Sequence, residues 1–405
     1  MLMKKILFLA AIASVALAGC VKEETNNLEQ QANRKIAFDS PVLYSNEDSR
    51  ANVYGEIGSH SYVAGGTVYS YPKEENFVIY AVSHETNFAG WGAATPAEFN
   101  NTAITYDNDL DGWAPKTATG YYYWDSGKKM SFAASSPADL EQTNWGGVDK
   151  RSYGATGLII TDFEVNADAA HQYDLLYSTR ICNKTAADMN HSASYYSGIP
   201  IQFQHALTSV RFSIANSSTE TVVLTGVTVK GVKYKGTFNE NITEDAADYT
   251  RYDKTPKTGN VNPAWTVADD MIASTSPYVA FDGSIDFRSN PRYVSELVAE
   301  KKASKPTATD VCHQLLLMPQ VLTDAAEVTV EYTVNGTPNS KTVKLKDKQS
   351  QDQHGTITGT IGEWEMGKRY TYRLYYSSET ADRDKIYFAP STDEWTDVDV
   401  IVINL

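Results

Sequence analysis

Short runs of β-prone residues recur along most of this chain, and in the clearest of them apolar and polar residues alternate with a period of two. In "VTVEYTV", Val328, Val330, Tyr332 and Val334 share one face while Thr329, Glu331 and Thr333 share the other. That is the pattern of a strand with one face in a core. Similar runs rich in Val, Ile, Tyr, Phe and Thr are "NFVIYAV" (76–82), "MSFAA" (130–134), "LIITDFEV" (158–165), "DLLYS" (174–178), "TVVLTGVTVKGV" (221–232), "RYTYRLYY" (369–376) and "VDVIVINL" (398–405). Gly, Asn, Asp, Pro and Ser clusters separate them, as turns in β-sandwiches require. Helical periodicity is scarce, and its best candidate, Tyr293 to Lys301, predicts a couple of turns decorating a loop. The pattern predicts an all-β fold of two antiparallel β-sandwich domains. The polar loop "NKTAADMNHSASYYSGIP" (183–200) is the expected break, giving domains 51–195 and 196–405.

The front of the chain departs from this pattern. Residues 1–20, "MLMKKILFLAAIASVALAGC", have the charged n-region, short apolar run and small-residue cleavage site of an export signal. Cys20, directly after Ala18-Gly19, predicts a bacterial lipoprotein whose mature N-terminus carries lipid. The following Val21-Lys22-Glu23-Glu24 is similar to the acidic tag that sends Bacteroidetes lipoproteins to the outer face of the outer membrane, or is a plain solvated linker. Residues 21–50 form a leader that holds one strand, Ile36 to Tyr44, and then an acidic loop with Arg50 before Ala51. Ile36, Phe38, Val42 and Tyr44 are its expected buried side chains, and Pro41 predicts an edge position or a bulge.

Charge and cysteine content narrow the function classes. A formal net charge of −15 over 405 residues argues against nucleic acid as a partner. With Cys20 lipidated, Cys182 and Cys312 remain, as one bridge or as two buried thiols, and no C-x-x-C pair points to zinc or redox chemistry. The chain has no G-x-S-x-G elbow, no H-E-x-x-H and no P-loop. No enzyme activity and no cofactor are therefore expected. "DNDLDG" places Asp107, Asp109 and Asp111 at the alternating positions of a calcium loop, but position twelve is Ala118. It reads as a weak calcium candidate or as an acidic β-turn. Trp91, Trp113, Tyr121, Tyr122, Tyr123, Trp124 and Trp145 crowd the first half, as a sugar-binding platform or as ordinary strand aromatics.

The order of motifs adds more than any single one. The lipidation signal, "IAF…SRA", "YYYW", "SFAASSP", "DLLYS", "FQHALTSVRFSI", "LLLMPQ", "VEYTV", "WEMGKRYTYRL" and a late Trp395 before the terminal strand together resemble the fimbrillin family of Bacteroidetes pilins. The resemblance implies two transthyretin-like sandwich domains and export as a lipoprotein. It also implies cutting by an arginine-specific surface protease and polymerisation by strand exchange with other pilin subunits. It places the processing site at Arg50–Ala51, with Arg34 as the rival. A cut at Arg34 would leave Ile36 to Tyr44 attached.

Loss of that strand would bare an apolar groove and a row of unpaired backbone N–H and C=O groups, which another strand could fill. The donor candidate is the C-terminal run, with Val400, Ile401, Val402, Ile403 and Leu405, or else this run is a strand of its own domain. The expected product is a cell-surface fimbria that mediates adhesion. The alternative is a monomeric surface lipoprotein that binds glycans.

Overall fold

The computed structural model describes residues 36, 38, 42–44, 59–63, 66–70, 75–85, 97–108, 112–117, 120–121, 128–140, 145–154, 156–178, 181–185, 199, 201–241, 263–270, 272, 276–351, 357–377 and 396–404, the strands 42–44 and 396–404 by backbone path. The fold is all-β. Its largest sheet runs in the order Ser59–Val63, Gly66–Ser70, Val42–Tyr44, Gln202–His205, Leu176–Ser178, Lys129–Ser136, Phe77–His84, Ala97–Asp107, Gly112–Ala114. Phe77–His84 is buried on both faces over its first six residues, which explains why "FVIYAV" is continuously apolar instead of alternating. One face carries Phe77, Ile79 and Ala81 into a cluster with Phe132, Leu176 and Phe203. Tyr80, on the opposite face, joins a larger cluster with Leu158, Ile160 and Phe238.

That second face is covered by the sheet Arg151–Gly154, Gly157–Glu164, Lys235–Asn239, Ala264–Val267. Arg151 ties the two sheets together. Its guanidinium donates to the carbonyls of Pro137 (2.7 Å) and Ala138 (2.6 Å) and is paired with Asp149.

The C-terminal sandwich has two sheets. One runs Arg292–Tyr293, Thr208–Asn216, Lys368–Tyr376, Thr396–Asn404, Lys348–Gln351, Ile357–Ile361, and the other Val311–Cys312, Tyr278–Asp286, Val222–Lys230, Glu327–Val334, Thr337–Lys344. Val210, Phe212, Tyr372 and Leu374 of the first meet Leu224, Val227, Val328 and Val330 of the second in one core. Gly231 bends the chain beside it at φ +66°, and a Cβ there would lie 1.8 Å from the Ala325 carbonyl oxygen, so only glycine fits.

Three features differ from the sequence expectation. Most ladders are antiparallel, but Val42–Tyr44 with Gln202–His205, Thr208–Asn216 with Lys368–Tyr376, and Lys368–Tyr376 with Thr396–Asn404 are parallel. The expected line between residues 195 and 196 does not fall on a gap in pairing. Gln202–His205 completes the first sheet, and Gly157–Glu164 pairs with Lys235–Asn239 across that line. The expected short helix is Val294–Ser304, two residues longer than the sequence indicated and ending three residues later, and it buries Val294, Leu297 and Val298.

Candidate functional site

The leader strand occupies an interior position in the largest sheet. Ile36 and Phe38 are 2% and 0% exposed. The Phe38 N–H donates to the Trp113 carbonyl at 2.6 Å, and the Trp113 N–H donates back at 3.0 Å. On its other side Phe38 bridges Ile199 in parallel fashion. The Phe38 ring packs edge-on against Phe77 and Phe132, at centroid distances of 6.1 Å and 5.6 Å. Phe77 in turn meets Phe203 at 5.6 Å, which makes an aromatic nest under the leader.

Further along, Val42 to Tyr44 lies between two strands. Val42 pairs with Gln202 on one side and with Ser70 on the other. At Phe38, Val42 and Leu43 the strand has a neighbour on each side. Pro41, for which the sequence predicts an edge position or a bulge, lies outside the described residues. The side-chain positions of Val42 and Tyr44 lie outside the described residues, as do Cys20, Arg50 and Ala51.

The C-terminal run is seated in a comparable way. Thr396–Asn404 lies between Lys368–Tyr376, to which it runs parallel, and Lys348–Gln351, which it touches at the pair Val400 and Gln351. A register shift between Tyr370 and Tyr372 brings Val398, Ile401 and Ile403 opposite Tyr370, Tyr372 and Leu374. Strict alternation would have put Val398 on the opposite face from the two isoleucines. This strand thus holds a place in its own domain, one of the two positions the sequence left open. Leu405 lies outside the described residues.

The remaining candidates do not converge on a site. Asp107 is buried and pairs with Gly112 between adjacent strands, while Asp109 and Asp111 lie outside the described residues. Among the described residues no group of three metal-ligating side chains occurs. Trp113 and Trp145 are core residues, 2% and 5% exposed, and neither offers a face to a sugar. Cys312 is a free thiol, so no bridge to Cys182 is formed, and burial pushes its pKa up to about 12. Among the described residues no helix is long and apolar enough to cross a membrane.

Packed β-sheets with the strand Val42–Tyr44 inside the largest of them define a structural β-sandwich protein. The sequence model of the fimbrillin-like family matches residues 70–387, and the chain belongs to that family. It is a family of structural subunits of cell-surface fimbriae and adhesion proteins, not of enzymes. Among solved structures the chain is similar to a candidate cell adhesion protein from Bacteroides uniformis (11% identity, TM-score 0.40, covering 76% of this chain and 88% of that one). It is also similar to one from Bacteroides ovatus (12%, 0.41, 84% and 92%). A fimbrial protein from Bacteroides ovatus matches at 12% identity and TM-score 0.36, covering 92% of this chain and 51% of that one. No curated protein matches. The family match carries the assignment.

Proposed function

We propose that the chain is a fimbrial subunit exported as a lipoprotein on Cys20, cut between Arg50 and Ala51, and joined to its neighbours by donor-strand exchange. One observation supports this reading above the others: the segment that a cut at Arg50 would sever is the one that fills the aromatic nest, with Phe38 fully buried. Its departure would bare Phe77, Phe132, Trp113 and Phe203, at a cost of roughly 1.5–3 kcal/mol for each large side chain returned to water. It would also open ladders on both sides of Val42–Tyr44. Only another extended strand can satisfy an apolar floor and two open ladders together. The donor is the terminal strand Thr396–Asn404 of a neighbouring subunit, which until then rests in its own sheet. The partners are other pilin subunits and an arginine-specific protease at the cell surface. The outer membrane holds the subunit through its lipid before cutting. Adhesion follows from the assembled filament.

The test is the intact mass and N-terminal sequence of protein recovered from the cell surface, with SDS-resistant ladders examined with and without Arg50→Ala. An N-terminus at Ala51 and ladders lost in the variant are expected. A lipidated N-terminus at Cys20 with no ladders in either sample would overturn the reading.

A further inference from the structure

Among the described residues the strand Thr337–Lys344 is the outer edge of its sheet, paired with Glu327–Val334 on one side only. Asn335 and Gly336 join the two strands at φ of +48° and +82°, the geometry of a two-residue turn, so Val334 and Thr337 exchange both of their backbone bonds. The ladder then alternates along the pair. Pro338, Ser340, Thr342 and Lys344 therefore turn their backbone groups to the open side, and all four are exposed. Such a row is a template for another strand.

Two residues of this edge oppose that use. Pro338 has no N–H, so the row loses an outward donor. Lys341 stands opposite Val330, which is fully buried, and in the same phase as Val343, which packs on the core. That phase suits an apolar side chain, and a part-buried lysine fills it instead. The charge has company. Lys341, Lys344, Lys346 and Lys348 fall within eight residues of a chain whose formal net charge is −15. Lys344 and Lys346 reach only the exposed carboxylate of Asp324, at 3.6 Å and 3.9 Å, with Asp347 at 4.0 Å from Lys346. Lys348 belongs to the facing sheet. Burial lowers its pKa, Asp347 opposes the shift, and the charges of Lys341 and Lys344 add to it, which gathers these three lysines at one rim of the sandwich. A second copy pairing along the same edge would bring its own lysines against them, and like charges set opposite each other across a ladder repel.

We propose that Lys341, helped by Pro338, keeps this edge from pairing with a second copy of the chain and so decides which strand edge of the subunit accepts a partner. The guard rests on the fimbrial reading only for its purpose, which is to leave strand addition to the seat of the leader. A subunit that joins its neighbours by strand addition has to close its other open edges, because a self-pairing edge would tie filaments together sideways.

The test is the mass in solution, by sedimentation velocity, of the lipid-free chain carrying Arg50→Ala so that strand exchange does not contribute. Lys341→Val, Pro338→Thr and the two together are compared. The unaltered edge is expected to stay monomeric and the double variant to dimerise, an about twofold rise in mass. Amide exchange over 337–344 should slow in that dimer, because the outward N–H groups are then bonded. Lys341→Arg keeps the charge and should stay monomeric. Lys341→Gln removes the charge but keeps a polar side chain, so it shows the same direction should Lys341→Val fold poorly. A double variant that stays monomeric at the same concentration, a dimer of the unaltered edge, or a Lys341→Arg variant that dimerises as readily as Lys341→Val would overturn the guard. Dimers of the double variant, in a protein whose cut form never makes ladders, would keep the guard and remove its fimbrial purpose.

Discussion

The two terminal strands are seated alike and surrounded differently. Each lies between two neighbours and each runs parallel to one of them. The leader sits over Phe77, Phe132 and Phe203, in a cluster of apolar side chains. The terminal strand runs beside Lys368–Tyr376, whose Tyr370, Tyr372 and Leu374 belong to the core that stays in the subunit. An apolar floor accepts any strand that brings large side chains at alternate positions. In the proposed exchange the first seat is the receptor and the terminal strand is the donor.

The sharpest way to break this comparison is to damage each seat and follow the damage through assembly. Phe38→Ala should cost about 3–5 kcal/mol in the uncut monomer, measured by denaturant unfolding. The loss should vanish from the heat resistance of assembled ladders, because Phe38 is no longer part of them. Leu374→Ala, at the register position of Ile403, should cost about 2–5 kcal/mol in the monomer. It should persist after assembly, since the core it opens stays in the subunit. Equal persistence of both losses would contradict the exchange.

Acid gives a smaller and more local effect. Burial alone would raise the pKa of Asp310, but hydrogen bonds from Lys301 Nζ and the Ser284 N–H, both 2.7 Å, outweigh it and hold the carboxyl below its ordinary range. A lowered folded value means that this stabilisation is present above the unfolded carboxylate range and is lost as pH falls through the folded value. Asp310→Asn should therefore lower the melting temperature at neutral pH, by the equivalent of about 1–2 kcal/mol, and flatten its decline in acid. The leader seat, whose described lining is apolar, should be indifferent to that substitution. Smallest of all is the response of Cys312 to thiol reagents at neutral pH. With its pKa pushed up to about 12, labelling should track global unfolding, and fast labelling of the native protein would show that the helix side of the second sandwich opens on its own.

Much of the fold was legible because alternation is local. "VTVEYTV" became Glu327–Val334 with Val328, Val330 and Tyr332 buried, as its pattern required. Phe38 was also legible as a core residue. What the pattern could not carry was pairing. Parallel and antiparallel strands alternate alike, so nothing in "RYTYRLYY" told of parallel neighbours on both sides. The polar loop at 183–200 read as a domain break because it is polar, yet the strand just beyond it returns to the first sheet.

The most direct test of the central claim is native mass spectrometry of the lipid-free chain, carrying Arg34→Lys, after limited cutting by an arginine-specific protease. A peptide matching residues 397–405 is then added. The account predicts that the fragment ending at Arg50 stays bound after the cut, held by the seat around Phe38, and that the peptide displaces it one for one. A fragment that leaves at once while the remaining chain stays folded and monomeric, or a peptide that never binds in its place, would contradict it.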